Sequence, residues 1–580
     1  MIRRTLLLVA VALLGLMFLI ALHAWYASYV PRFSDATLRF EDVENPPVVL
    51  SMPVWYTLGP LPRIGNVSFN VDLPKRHTPY FLLPHTGNIV ELIVNGAKVN
   101  PDIISKDPDM GGALRPGKNT VTMRLFFNDP FSGVIVAFLP SLRNFVKLVQ
   151  VFLQLSIVLF FSFLFQRIRR SPLRWEIIFF VALGITLRCL YLSGTPWYFY
   201  GYDSQGHIDY IFYLVNHGML PAGTALWQAH QAPLYYVLAS FFPWIGGHLG
   251  WSRELSLLSI QSFSLFLSIG VLFVGVDAVH AFFQGRMQRA LGVALLAAAP
   301  PLVFLSSQIS NDVLLMFFGI LWYAALQRSL ADRRSRQWIL ACFWLAFAIL
   351  TKANAILLFF PTVLAFFFLT PIPFVDRVKR IGFLVLTSPI WASFYFWRFL
   401  SDRAYGIVEN AHLLSSAGRI DLTLYNLFIF NPVSLFLQPF VHHVSGPFRQ
   451  EYFLETVLRS FQFGSSVYAS FGRYPLLFLL LLLPVGIFGA FRLLQRKKLL
   501  PVITTGILML GLIIFCFRYP YTSSQHFRYI AISTLPIALC VIEGVYGFRW
   551  KFLRMFFEVI VLVYVLVTAL FYLGAFLSTW

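Results

Sequence analysis

Residues 201–236 read GYDSQGHIDYIFYLVNHGMLPAGTALWQAHQAPLYY, a polar, tyrosine-rich insert in an otherwise almost continuously apolar chain. Its surroundings decide how it is read. Of 580 residues, 58% are hydrophobic and 12% charged, whereas a soluble domain carries roughly a quarter charged residues. Apolar runs of about twenty residues, enough to cross a ~30 Å hydrocarbon core as helix, recur along the chain. The sequence is that of a polytopic α-helical membrane protein, with residues 201–236 at one aqueous surface.

The net charge of +20 does not point to nucleic acid. Polytopic chains gather Lys and Arg in short cytoplasmic loops, and placing the N-terminus inside puts QRIRRSPLR, QGRMQR, QRSLADRRSR, DRVKR, RLLQRKK and FRWKFLR all on that side. About thirteen spans result, the first within 1–30 and the others near 145–165, 175–193, 254–283, 290–309, 312–328, 338–351, 354–370, 381–398, 474–492, 499–517, 527–547 and 555–577. The N-terminal apolar run, residues 1–30, is read as an uncleaved first span because it is long for the core of a signal peptide. Residues 31–141 form an extracytoplasmic β-sandwich module: short β-branched and aromatic runs separated by turns such as Asn95-Gly96 and RPGKN, with no competing helical periodicity. Residues 142–400 make the transmembrane core, with a loop at 193–252; 401–473 are a further extracytoplasmic loop; 474–580 are C-terminal spans. PLYYVLASFFPWIGG is too short to span and is expected along the interface. WILACFWLAFAIL and NAILLFFPTVLAFFFL, with LTKA between them, are expected as a short hairpin carrying Lys352. The four cysteines lie inside apolar runs without paired spacing, as buried small hydrophobes do.

Within the loop, Asp203 follows Trp197, Tyr198, Phe199, Tyr200 and Tyr202. Interfacial aromatic rings hold such a carboxylate at headgroup depth, so a membrane-anchored acid competes with the simpler reading of a solvated loop residue. His207 lies four residues later, on the same helical face. With His230 these residues have the chemistry of metal ligands but not the spacing of a metal motif. No metal ligand is assigned; hydrogen bonding that orients Asp203 is the expected role of both histidines. Asp312 opens an apolar span, where a helix cap is as natural as a reactive acid. Lys352, Arg528 and Arg188 lie near span ends, where snorkelling to headgroups is the alternative to ligand binding.

These residues together resemble the GT-C glycosyltransferases, multi-spanning enzymes that use polyprenyl-phosphate-linked sugars. The resemblance runs through Tyr202-Asp203, the amphipathic HIDYIFYLVNHGMLP, and His230-Gln231-Ala232-Pro233-Leu234-Tyr235-Tyr236. It continues in SSQISND around Asp312, in LTKA around Lys352 and in HFRYIAISTLP around Arg528. Gln231 and Ala232 stand where that family often has a basic residue and a proline. The β module, with IVELIVNGAKV and LRPGKNTVTMRL, resembles the galactose-binding-like jelly rolls appended to carbohydrate enzymes. The resemblance implies transfer of a sugar from a polyprenyl-phosphate donor to an extracytoplasmic glycan, lipid or protein, at the periplasmic face of a bacterial inner membrane. It implies Asp203 as general base, Asp312 as a second acid, Lys352, Arg528 and Arg188 as donor-phosphate contacts, and Tyr202, His207, His230, Gln231 and Tyr235 around the substrate. A glycan polymerase or ligase with a lipid-diphosphate donor, and a lipid or polysaccharide transporter, are the alternatives. Apolar span centres with acids gathered at one surface disfavour the transporter.

Overall fold

The computed structural model describes strand segments 32–40, 48–49, 54–56, 63–73, 83–84, 88–99, 115, 117–127 and 133–135, and residues 175–195, 197, 203–223, 225–251, 253–332, 335–368, 374–402, 423–437, 452–464 and 472–578. The expected spans at 1–30 and 145–165 lie outside these, as does Tyr202. The chain divides into two compact units, Met1–Ile157 and Val158–Trp580.

The first unit is antiparallel β structure. Strands β1 (Arg32–Phe40), β2 (Val48–Val49), β4 (Arg63–Leu73), β6 (Asn88–Val94), β7 (Ala97–Val99) and β8 (Gly117–Phe127) form a six-stranded sheet in the order β2-β1-β4-β8-β6-β7. Strands β3 (Val54–Tyr56), β5 (Leu83–Pro84) and β9 (Gly133–Ile135) form a three-stranded sheet in the order β3-β9-β5. Val67 and Phe69, Leu92 and Val94, and Val121 and Met123 are buried in alternation, the period that the sequence displays. Asn95 and Gly96 both take positive φ (53° and 80°), as a tight hairpin between β6 and β7 requires. The RPGKN turn is closed by Asn119, whose side chain bonds Arg115, Gly117 and Asn95.

The second unit is helical. Its α-helices are α1 (Trp175–Gly194), α2 (Ser204–His217), α3 (Leu234–His248), α4 (Arg253–Phe282), α5 (Arg286–Ala297), α6 (Pro300–Phe304), α7 (Asn311–Asp332), α8 (Ser335–Thr351), α9 (Phe359–Phe368), α10 (Phe374–Asp402), α11 (Leu424–Phe428), α12 (Pro432–Leu437), α13 (Phe453–Phe463), α14 (Arg473–Gln495), α15 (Leu500–Arg518), α16 (Thr534–Val545) and α17 (Lys551–Ser578). Among the described residues seven helices are long and apolar enough to cross a membrane, and the bent pair α5/α6, which turns by 47°, can count as an eighth. The protein is therefore an integral membrane protein, with fewer full-length spans among the described residues than the sequence suggests. The shortfall has local causes. The run expected at 290–309 breaks at Pro300-Pro301; the runs at 338–351 and 354–370 are the short α8 and α9, joined through 3-10 turns at Ala353–Leu358.

Breaks free backbone carbonyls that cannot reach water in an apolar setting. One face of α4 satisfies them. Gln261 Nε2 donates to the carbonyls of Thr195 and Ser307, Ser264 Oγ to that of Gln308, and Ser268 Oγ to that of Leu302. The segment expected as an open loop, 401–473, contains α13, an amphipathic helix with a buried Glu455–Arg459 ion pair at 3.1 Å. Ser460 Oγ on α13 accepts the backbone N–H of Phe527 at 2.8 Å, and Phe461 packs edge-on against Phe527. Helix α13 thus fixes the start of the segment that carries Arg528.

Helices α14 and α16 approach closely at two glycines. A Cβ at Gly489 would lie 1.8 Å from the Cys540 carbonyl oxygen, and one at Gly544 would lie 2.0 Å from that of Val485. Small residues permit such backbone contact between helices in membranes. Gly489→Ala is expected to lower thermal stability in detergent by about 1–3 kcal/mol, the usual cost of overpacking. Gly506→Ala, where a Cβ meets nothing within 4 Å, is the matched control and should leave the melting temperature unchanged or raised.

Candidate active site

Asp203 precedes α2 in the left-handed conformation, φ 51° and ψ 22°, strain that a non-glycine residue adopts rarely and that clusters at functional positions. Its side chain caps nothing in α2. Instead Asp203 Oδ2 accepts a hydrogen bond from Arg528 Nη2 at 3.1 Å, across 325 residues of sequence. Arg528 lies in the 3-10 segment Phe527–Ser533 that leads into α16, and it also donates to the Tyr529 hydroxyl at 3.2 Å.

A second ion pair lies nearby. Lys352 is the single extended residue (φ −158°, ψ 134°) between α8 and the 3-10 turns that follow it. Its Nζ donates to Asp312 Oδ1 at 2.6 Å and lies 5.2 Å from the Tyr529 ring centroid, while the Arg528 guanidinium lies 5.0 Å from the same ring. One tyrosine therefore stands between both cations. Asn354 Nδ2 holds its backbone carbonyl at 2.8 Å.

The two acids differ in exposure. The Asp203 side chain is 39% exposed and that of Asp312 1%, so a reactant can reach only the first. Ser310 Oγ donates to Asp312 Oδ2 and accepts the Asp312 backbone N–H. Ser310 is thus the capping side chain of α7, and Asp312 spends its charge on Lys352.

Burial raises the Asp203 carboxyl, but the groups around it, the Arg528 guanidinium foremost and Lys352 beyond it, together hold it below the usual carboxylate range. Burial pushes His207 down to about 3 and His230 to about 4, so both imidazoles are neutral at pH 7. His207 Nδ1 bonds the Tyr236 hydroxyl at 2.8 Å. His230 Nδ1 donates to the Trp227 carbonyl at 3.2 Å, which leaves Nε2 to accept from Gln231 Nε2 at 3.1 Å. Gln231 Oε1 in turn accepts from Asn311, whose Nδ2 also reaches the Thr351 carbonyl. Four motifs far apart in sequence, around 203, 230, 312 and 352, converge with the segment around 528. Among the described residues no group of three His, Cys, Asp or Glu side chains could hold a metal ion.

One expected residue lies apart from this cluster, and another is packed behind it. Arg188 is fully buried between helices; it donates to Ser268 and to the carbonyls of Gly184, Ala297 and Leu296, and so ties α1 to α4 and α5. Tyr235 is fully buried, its ring against His207, Tyr236 and Phe263. Three residues to which the sequence reading gave no role in the site matter here: Tyr529, Asn311 and Arg398. Arg398, near the end of α10, donates to the carbonyls of Pro221 and Ala229 and so pins the irregular stretch before His230. An arginine in an apolar helix is itself the signal for it.

The family model for dolichyl-phosphate-mannose-protein mannosyltransferases matches residues 230–395, well under half of the chain. The match bears out the resemblance to the GT-C glycosyltransferases. No curated protein sequence matches the chain significantly. Among solved structures, ArnT from Cupriavidus metallidurans in its apo state is 14% identical, over 70% of this chain and 75% of that one, with a TM-score of 0.42. The Archaeoglobus fulgidus oligosaccharyltransferase in apo form is 12% identical over 70% of this chain, with a TM-score of 0.40; this chain spans 56% of its length. Arabinosyltransferase EmbB from Mycobacterium smegmatis is 12% identical over 92% of this chain and 52% of that one, with a TM-score of 0.34.

Lys352→Met strands the Asp312 carboxylate in a buried position and should cost about 3–5 kcal/mol, read as a large fall in melting temperature. Arg528→Met, whose partner keeps access to water, should cost clearly less. Arg188→Lys, which cannot reach all of these partners, should lower the melting temperature; an unchanged melting temperature would contradict a tying role for Arg188.

Proposed function

We propose that the protein transfers a sugar from a polyprenyl-phosphate donor to an acceptor hydroxyl, with Asp203 as general base and Arg528 and Lys352 as contacts for the donor phosphate. The observation that carries this reading is the pairing of a strained, water-accessible carboxylate with an arginine, beside a buried lysine–aspartate pair. The description of the matching family names a dolichyl-phosphate-linked sugar, which favours a monophosphate donor over a diphosphate one.

The chemistry follows from the charges. The acceptor oxygen attacks the anomeric carbon as its proton passes to Asp203; the bond from that carbon to the phosphate oxygen breaks, and the electron pair leaves with the phosphate. A positioned base contributes about 10²–10⁴-fold. As Asp203 takes the proton its charge disappears, and the full charge of Arg528 becomes available to the leaving phosphate. Base and leaving-group stabiliser are thus coupled through one hydrogen bond. Asp312 keeps Lys352 charged and aimed, a positioning role. Neutral His207 and His230 offer hydrogen bonds to sugar hydroxyls without adding charge. Under this proposal the site faces the periplasm of a bacterial inner membrane, and the β unit, read as a galactose-binding-like sandwich, engages a glycan or protein acceptor.

Asp203→Asn should lower turnover of a polyprenyl-phosphate sugar by about 10²–10⁴-fold in protein that purifies and melts normally; near-normal turnover would remove Asp203 as base. The acid limb of kcat/KM reports the free base. Because Arg528 depresses the Asp203 carboxyl, wild-type activity should persist below the usual carboxylate range. Arg528→Gln should move that limb to higher pH, and an unmoved limb would separate Arg528 from the base.

A further inference from the structure

A cleft on the other side of α2 takes no part in this chemistry. Asp203 and His207 are four residues apart and share one side of the helix; Asp209, Phe212 and Asn216 follow the same helical spacing on the opposite side. With Trp251, Arg253 and Ser256 they line a cleft of about 440 Å³ between α2, α3 and the start of α4, within the range of small-ligand sites.

The cleft is built around its aromatic wall. The Trp251 backbone N–H donates to the Gly246 carbonyl at 2.8 Å, and a Cβ at Gly246 would come within 3.1 Å of the Trp251 ring and 2.8 Å of Ser256 Oγ. Glycine at 246 therefore lets the indole lie against α3. The exposed Arg253 guanidinium stands 5.5 Å from the Phe212 ring centroid. Asp209 is exposed and takes a hydrogen bond from Gln205 at 2.6 Å.

The lining groups select a ligand class. A carboxylate and a guanidinium in one cleft offset each other, so a phosphate gains from Arg253 and loses to Asp209. A neutral ring bearing neighbouring hydroxyls uses both, since the carboxylate accepts, the guanidinium donates, and the Asn216 amide and Ser256 hydroxyl do either. The apolar face of such a ring covers Trp251 or Phe212. We propose that this cleft is a carbohydrate subsite that holds one neutral sugar unit of a glycan. Sugar binding here does not depend on the transfer reaction.

The test uses the full chain in lipid nanodiscs and saturation-transfer NMR. The probes are glucose, galactose, mannose, N-acetylglucosamine and their short oligomers, with glycerol phosphate and phosphoethanolamine as headgroup probes. At least one neutral sugar should bind. Asp209→Asn, Trp251→Ala and Arg253→Gln should each weaken it about tenfold, equal to 1.4 kcal/mol. Arg253 is exposed, so its variant keeps the test open if Trp251→Ala fails to fold. Binding of the headgroup probes alone, of no sugar, or of sugar equally by the folded cleft variants overturns the subsite. Those results leave the transfer reading intact, because its own test is turnover by Asp203→Asn.

Discussion

The structure depends on what happens to backbone polar groups where an apolar helix is interrupted. In a medium without water each freed N–H or carbonyl needs a partner within the protein, so interruptions are costly and confined to places that supply one. All four charged residues of the candidate site stand where regular helix begins or ends. Asp203 takes a left-handed conformation just before α2, Asp312 follows the break after α6, Lys352 is the lone extended residue after α8, and Arg528 lies in the 3-10 entry to α16. Gln261, Ser264 and Ser268 on α4 make one of these breaks tolerable by taking up its carbonyls. The span Phe527–Val545 is 89% buried, against 28% for Arg473–Gln495. Arg528 is thus delivered by an interior helix and the apolar flanks by peripheral ones.

Gathering two acids and two bases in one buried region makes each charge tolerable only because of the others. The pairs are not equivalent, and the inequality divides their work. Lys352–Asp312 is closed to solvent and sets local geometry; Arg528–Asp203 stays open and can exchange partners. Tyr529 lies against both cations, so movement of one is felt by the other. Under the proposed function such a site begins near neutrality, admits an anion, and gains positive character at the moment a proton reaches Asp203.

Much of this was legible in the sequence, for identifiable reasons. Helical spans and the short α3 follow from apolar run lengths, and the β6–β7 hairpin follows from Asn95-Gly96, whose backbone few other pairs can adopt. Asp203, Lys352 and Arg528 were legible because polar residues in apolar surroundings need a purpose. The role of Arg188 was not, since an arginine that binds carbonyls and one that binds phosphate look alike along a chain. Nor was α13: its buried Glu455 and Arg459 read as loop polarity until their mutual pairing is seen. The length of spans misled where prolines 300 and 301 break a run that composition alone would carry across. The exposure difference between Asp203 and Asp312 is a property of packing, and no pattern in the sequence encodes it.

The central claim is that Asp203 and a donor phosphate compete for Arg528. The direct measurement is the affinity of purified Asp203→Asn for a polyprenyl phosphate, set against wild type at the same pH and salt. Removing the competing carboxylate charge should tighten binding while sugar transfer is lost. Binding that is unchanged or weaker in a normally folded Asp203→Asn protein would contradict the account.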